Sequence, residues 1–253
     1  ARLPNEVLLS PDAARHFAAT TPLADGTAHH LAQPLPAPPV APRTFALPDS
    51  ARWGDIIART PRYVSRWIER VGLEWIAEVR PVTALTVALV DFDDADEDAA
   101  LHLDAITQAV QEIVHGRDGA IDAVLVDEKG VSILAFFGAP PDAHSDDPLR
   151  GVLSAREIVE RLGGMGIDAS VGLSLGRAFC GIVGTPDRRG YLVAGDLVNL
   201  SARLAWASAG GVLVDEAVFA ATRNEIAYRD APVELTLKGQ PQAVPAWTLA
   251  ARV

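Results

Sequence analysis

The chain has 253 residues, 49% of them hydrophobic and 22% charged, with a net charge of −11 and one cysteine, Cys180. That balance is ordinary for a soluble globular protein with room for one large domain and an appendage. It argues against a nucleic-acid backbone as the main partner, which needs a basic surface, and one cysteine excludes an internal disulfide.

No apolar run approaches the roughly 20 residues that cross a membrane as a helix. The opening "ARLPNEVLLSPDAARHF" lacks the basic start and apolar stretch of a signal peptide. A cytoplasmic setting follows as the expectation. A small nucleotide stays open as a ligand, because it needs only a few local cations or a metal.

In chain order, a short unit comes first, then a proline-dense connector, "PLPAPPVAP" at 34–42. A helical segment is expected over roughly 50–78, with Trp53, Ile56, Ile57, Val64, Trp67, Ile68, Val71 and Trp75 at loose helical intervals and Pro61 starting or breaking a helix. The run at 83–92 reads as a strand. Residues 96–116 read as a helix, with Leu103, Ile106, Val110, Ile113 and Val114 on one stripe and Gly116 as its stop. Residues 121–127 and 131–138 form a hairpin about Glu128-Lys129-Gly130.

A second helix is expected over 146–164, with an Asp cap and Pro148 in its first turn. Residues 167–184 read as a pair of strands about Gly176. A helix follows at 196–208 with Asp196 as its cap, then strands at 210–215, near 226–237 and at 245–250. The order β-α-β-β-α-β is the ferredoxin-like arrangement, an α+β fold with helices on one face of an antiparallel sheet, here with extra strands and helices. Residues 1–23 also echo residues 202–226. Both run from Ala-Arg-Leu through a Val-Leu strand and an acidic residue to a short alanine-rich helix, although the echo needs a gap and chance is an alternative.

Several stretches, "LEWIAEVRPVTALTVALVDF", "GVSILAFFGAPPDAHSDDPLRGVLSA" and above all "SVGLSLGRAFCGIVGTPDRRGYLVAGDLVNLSARL", resemble the class III nucleotidyl cyclases. The likeness covers about residues 73–250 and is nearest the second catalytic half of the soluble, bicarbonate-responsive type. It implies a cyclase homology domain at 81–253, a helical linker at 48–80, and in residues 1–47 the tail of a preceding cyclase-like domain with its connector.

It further implies a cyclic nucleotide made from a nucleoside triphosphate, with ATP the expected substrate, at an interface with a first-half domain. Two magnesium or manganese ions would come mainly from that partner. By the same resemblance, Asn199 orients the ribose and Arg203 stabilises charge on the α-phosphate. Lys238 and Arg188 fall where the family binds triphosphate, Arg189 adjoins in the same basic loop, and Asp91 falls at the first metal aspartate. Helical spacing independently puts Asn199 and Arg203 on one face.

The pattern is broken elsewhere. The second metal aspartate falls at Val131. Of the two base-reading positions, one is Leu192, and the other is Ala123 or Asp127 depending on hairpin register, with Lys129 close but out of register. Two readings therefore stand: an enzyme half active only in a domain pair, and a degenerate, non-catalytic module for dimerisation or regulation.

Overall fold

The computed structural model describes residues 8–15, 20–22, 29–31, 65–66, 77–90, 92–93, 96–185, 188–236 and 243–250. The chain divides into two compact units, Ala1–Asp49 and Ser50–Val253.

In the first unit, β1 (Leu8–Leu9) leads into the one-turn helix α1 (Pro11–Ala14), and β2 (Thr20–Pro22) and β3 (His29–Leu31) follow. The Ser10 hydroxyl caps α1 by accepting from the Ala13 N–H at 3.2 Å. The strands pair antiparallel in the order β1-β3-β2.

The second unit is built on β4 (Glu78–Leu89), buried on both faces from Val82 onward. Such a strand needs a continuous apolar run, which "VTALTVAL" supplies. After it come α2 (Ala99–His115), β5 (Ala120–Asp127), β6 (Gly130–Phe137), α3 (Asp147–Gly164), β7 (Ala169–Thr185), β8 (Arg188–Ala194), α4 (Asp196–Ala207), β9 (Val212–Asp215), α5 (Glu216–Thr222), β10 (Val233–Leu235) and β11 (Val244–Thr248). The sheet runs β10-β11-β9-β7-β4-β6-β5, with β8 paired to β7. Its middle, β7-β4-β6-β5, is antiparallel throughout, and β4-α2-β5-β6-α3-β7 is the expected ferredoxin-like unit.

Alternation along β4 divides the core. Leu85, Val87 and Leu89 face α2 and α3, meeting Ile106, Val110, Ile113, Val152, Ile158 and Leu162. Val82 and Ala84 face the other way, toward Phe136, Ala178, Cys180 and Leu197 of α4. The helices thus lie on both faces, two from the ferredoxin-like core on one and α4 on the other.

Some expectations need correction. Residues 169–185 are one strand, not two. Gly176 pairs in regular register with Val82, and the chain reverses only between Thr185 and Arg188. The sheet begins at Glu78, so residues 78–80 are strand and not helical linker. Within the expected 50–78 helix, Ser65 and Arg66 are helical, and its other residues up to 76 lie outside the described ones. Asp146 does not cap α3 through its side chain. Its Oδ1 accepts instead from Arg150 Nε at 2.8 Å, one turn on. The late strands are shorter than expected.

The sequence echo has a structural counterpart. The order β9-α5-β10-β11 repeats β1-α1-β2-β3, each with the last strand between the other two. Asp215 caps α5 by accepting from the Val218 N–H at 2.8 Å, as Ser10 caps α1.

Candidate functional site

Helix α4 carries the expected pair. Leu197, Ser201, Leu204 and Ala205 are buried at helical intervals, so the stripe through Asp196, Asn199, Leu200 and Arg203 turns outward. The seat of the helix is Gly172 of β7. A Cβ there would stand 2.1 Å from the Ser201 carbonyl oxygen and 2.3 Å from the Ala205 nitrogen. Only a residue without a side chain lets the helix backbone come this close. Beside this contact, Thr86 Oγ1 and Ser201 Oγ share a buried hydrogen bond of 2.8 Å.

The helix begins at Gly195, not at a capping aspartate. Asp196 is the first helical residue, is exposed and makes no capping hydrogen bond. Crowding explains why glycine holds the cap, since a Cβ on Gly195 would meet Leu197 Cδ2 at 2.6 Å and the Arg177 carbonyl oxygen at 2.7 Å. An acid in the first turn still favours the positive end of the helix dipole.

Asn199 and Arg203 open onto a cleft of about 570 Å³, also lined by Ser174, Gly176, Arg177, Asp196 and Asp215. Its floor is held by Asp215 at the end of β9. Asp215 Oδ2 accepts from the Ser174 hydroxyl at 2.6 Å and the Leu175 N–H at 3.2 Å, while Oδ1 caps α5. Burial pushes the Asp215 carboxyl above the ordinary carboxylate range, against the downward pull of these donors. This carboxylate is committed to holding β7, β9 and α5 together. The groups left to meet a ligand on the α4 side are the Asn199 amide, the Arg203 guanidinium and the Asp196 carboxylate. An amide and a guanidinium side by side suit an anionic, oxygen-rich ligand.

Reading the sequence missed that Arg177 borders this cleft. The residue follows Gly176 in an unremarkable strand, and only the packing of α4 over β7 brings it to the same cleft.

The other expected positions are not gathered with this set among the described residues. Asp91 and Lys238 lie outside them. The backbone of Arg188 pairs with Thr185 at the far end of the β7–β8 ribbon. Val131 pairs with Leu89, is 1% exposed and belongs to the core beneath α2 and α3. Leu192, expected at a base-reading position, pairs with Gly181 and is 42% exposed and apolar. A bulge between Ile121 and Ala123 sets the hairpin register: Ala123 pairs with Leu134 and Asp127 with Gly130. Asp127 Oδ1 is taken by the Lys129 N–H at 2.8 Å in the turn. Among the described residues no group of three or more His, Cys, Asp or Glu is placed to hold a metal ion.

No family profile matches the chain. Over 155 residues it is 32% identical to human adenylate cyclase type 10, a match covering 57% of this chain and 9% of that protein. The chain therefore spans under a tenth of the curated relatives it matches. In fold it is similar to the adenylyl cyclase CyaB from P. aeruginosa, with a TM-score of 0.63 and 19% identity over 70% of this chain and 97% of that one. The guanylate cyclase domain of RhGC from Catenaria anguillulae, solved in complex with GTP, superposes with a TM-score of 0.58 and 19% identity, over 70% of this chain and all of that one.

Proposed function

We propose that this chain, similar in sequence to adenylate cyclase type 10 and in fold to solved cyclase domains, serves as the second half of a class III nucleotide cyclase, forming a cyclic nucleotide, with ATP the favoured substrate, at an interface with a metal-bearing first half. The observation that carries this reading is the Asn199–Arg203 pair, one helical turn apart on the outward stripe of α4 and lining one cleft. Asn199 holds the ribose so that its 3′-hydroxyl faces the α-phosphate. Arg203 gives a planar fork of donors to phosphoryl oxygens as negative charge builds there.

The described residues of this chain do not fit a metal pair, because valine at 131 offers no ligand. The two magnesium or manganese ions of the family's chemistry are therefore assigned to the partner, and this chain's part is binding, orientation and charge stabilisation. Pairing is supported by the sheet edge. Strand β5 is the outermost strand beside β6, and Val124, Leu125 and Val126 on it are exposed. An apolar edge of this kind calls for a covering partner. Strands β1, β2 and β3 repeat the strand order of β9–β11, which favours reading them as the close of an earlier cyclase-like domain. No described helix is long and apolar enough to cross a membrane.

The test is Arg203→Ala in the assembled pair. Turnover should fall about 100- to 1,000-fold, the usual effect of removing a group that binds the transition state, while the melting temperature stays unchanged. Unchanged turnover would refute the reading.

A second reading has an observation of its own. Val131 and Leu192 remove a metal ligand and a base-reading group. A degenerate, non-catalytic dimerisation or regulatory module accounts for both losses. On that reading no cyclic nucleotide forms from ATP or GTP with either metal, even with the first half supplied.

A further inference from the structure

Helix α4 rests on a smooth seat. Gly172 lies under Ser201, Leu204 and Ala205, and Gly176 lies under Leu197, whose Cβ a side chain on that glycine would meet at 3.4 Å. Val82, Ala84 and Ala178 present small apolar surface to Leu197 on the same side of the sheet. Contacts of this kind hold a helix down without fixing its rotation or its slide, because apolar burial and dispersion have no direction. The aim of the Asn199 amide and the Arg203 guanidinium depends on both.

One contact in this seam is directional. Thr86 of β4 and Ser201 of α4, 3% and 0% exposed, share the 2.8 Å hydrogen bond. Ser201 has a single hydroxyl proton, and it goes to the Val198 carbonyl at 2.9 Å, so Thr86 is the donor to Ser201. The Val198 carbonyl belongs to the peptide group that carries the Asn199 nitrogen, and the Val198 N–H is held by the Gly195 carbonyl at 3.1 Å. A chain of hydrogen bonds thus runs from the sheet through Ser201 to the peptide from which Asn199 hangs. Ser201 stands two residues from Asn199 and two from Arg203, about 200° around the helix at about 100° per residue, so one inward anchor sets the outward aim of both. A buried hydroxyl pair gains little stability over an apolar pair of the same shape. What it adds is a fixed geometry.

We infer that Thr86 is a positioning residue of the proposed cyclase site: its hydroxyl, acting through Ser201, fixes the rotation of α4 and so aims Asn199 and Arg203 at one ligand. The inference rests on the cyclase reading for the chemistry that the aim serves. Thr86 touches no reacting atom itself. Its hydroxyl acts on how well the pair meets the transition state, so its loss lowers kcat and leaves KM nearly as it was.

The test is steady-state kinetics with ATP in the assembled pair, with the melting temperature of each variant measured alongside. Thr86→Val keeps the shape of the side chain and removes the donor. Its kcat should fall about tenfold, short of the roughly 100-fold of a full 1 Å displacement, with KM within about twofold. Thr86→Ser should recover most of the loss. Ser201→Ala should match Thr86→Val, and it carries the comparison if that variant does not fold. The double variant Thr86→Val/Ser201→Ala leaves neither hydroxyl behind, so it should melt with the parent while its kcat stays about tenfold down, a combination that a purely structural role does not give. Parent-like kcat in the double variant, or equal losses in Thr86→Val and Thr86→Ser, would overturn the role of Thr86, and the cyclase reading would stand if Arg203→Ala abolishes turnover in the same pair. If Arg203→Ala turns over as the parent does, or the parent pair makes no cyclic nucleotide, both fall.

Discussion

Replacing Gly172 by alanine tests the foundation of the site, because this glycine decides how closely α4 lies on the sheet. The added Cβ would stand 2.1 Å from the Ser201 carbonyl oxygen, 2.3 Å from the Ala205 nitrogen and 2.8 Å from Leu204 Cβ. Two of these atoms are helix backbone, so no rotamer change relieves the clash, and the helix itself must lift by about 1 Å to restore contacts of about 3 Å or more. Overpacking of a tight core costs about 1–3 kcal/mol, and a clash against backbone belongs at the upper end. For a unit of this size that corresponds to a drop of about 6–12 °C in melting temperature.

The lift also strains the Thr86–Ser201 hydrogen bond and displaces Asn199 and Arg203. A shift of about 1 Å can reduce catalysis by about 100-fold. Thermal unfolding followed by circular dichroism checks the first effect, and turnover in the assembled pair checks the second. Gly164→Ala is the control, since a Cβ there meets nothing within 4 Å. A Gly172→Ala protein that melts with the parent and the control would refute the close seating of α4, and with it the placement of the pair.

Other outcomes follow from the same packing. Asp215→Ala removes the α5 cap and leaves the Ser174, Leu175 and Val218 donors without their acceptor, so denaturant unfolding should show a loss of about 2–4 kcal/mol. The Asp215 carboxyl is raised in the folded state, chiefly by burial. The fold therefore binds the proton more tightly than the unfolded chain, and this group's contribution is most favourable below the unfolded value of about 3.9. It declines as pH rises from there through the raised value. Asp215→Asn should flatten stability against pH in that window, and an unchanged slope would exclude this cause. Burial raises the Cys180 thiol as well, so thiol reagents should label it only at the rate of unfolding. Fast labelling of the native protein would contradict its place in the core. Val131→Asp should cost more stability than Val131→Ala, because it places a carboxylate in the core beside Leu89. Equal melting temperatures would argue against that burial.

Much of the site could be read from local pattern. The spacing of Leu197, Ser201, Leu204 and Ala205 decides which way α4 faces, and so it decides that Asn199 and Arg203 share its open side. The alternation of β4 and the stripes of α2 and α3 likewise determine the ferredoxin-like order, since each face must be buried by something of matching period. Other features depend on neighbours remote in sequence. Gly176 resembles a turn until its regular pairing with Val82 is seen. Asp196 resembles a cap until Leu197 and Arg177 are seen to crowd the position before it and require glycine there.

The sequence by itself determined the order of the ferredoxin-like unit and the one-turn spacing of an amide and a guanidinium, because these follow from periodicities of two and 3.6 residues. Only the tertiary structure decided that α4 lies against Gly172, that Val131 is core, and that Arg177 borders the same cleft as Arg203. Those facts depend on contacts between segments far apart in the chain, and no local pattern encodes such distances.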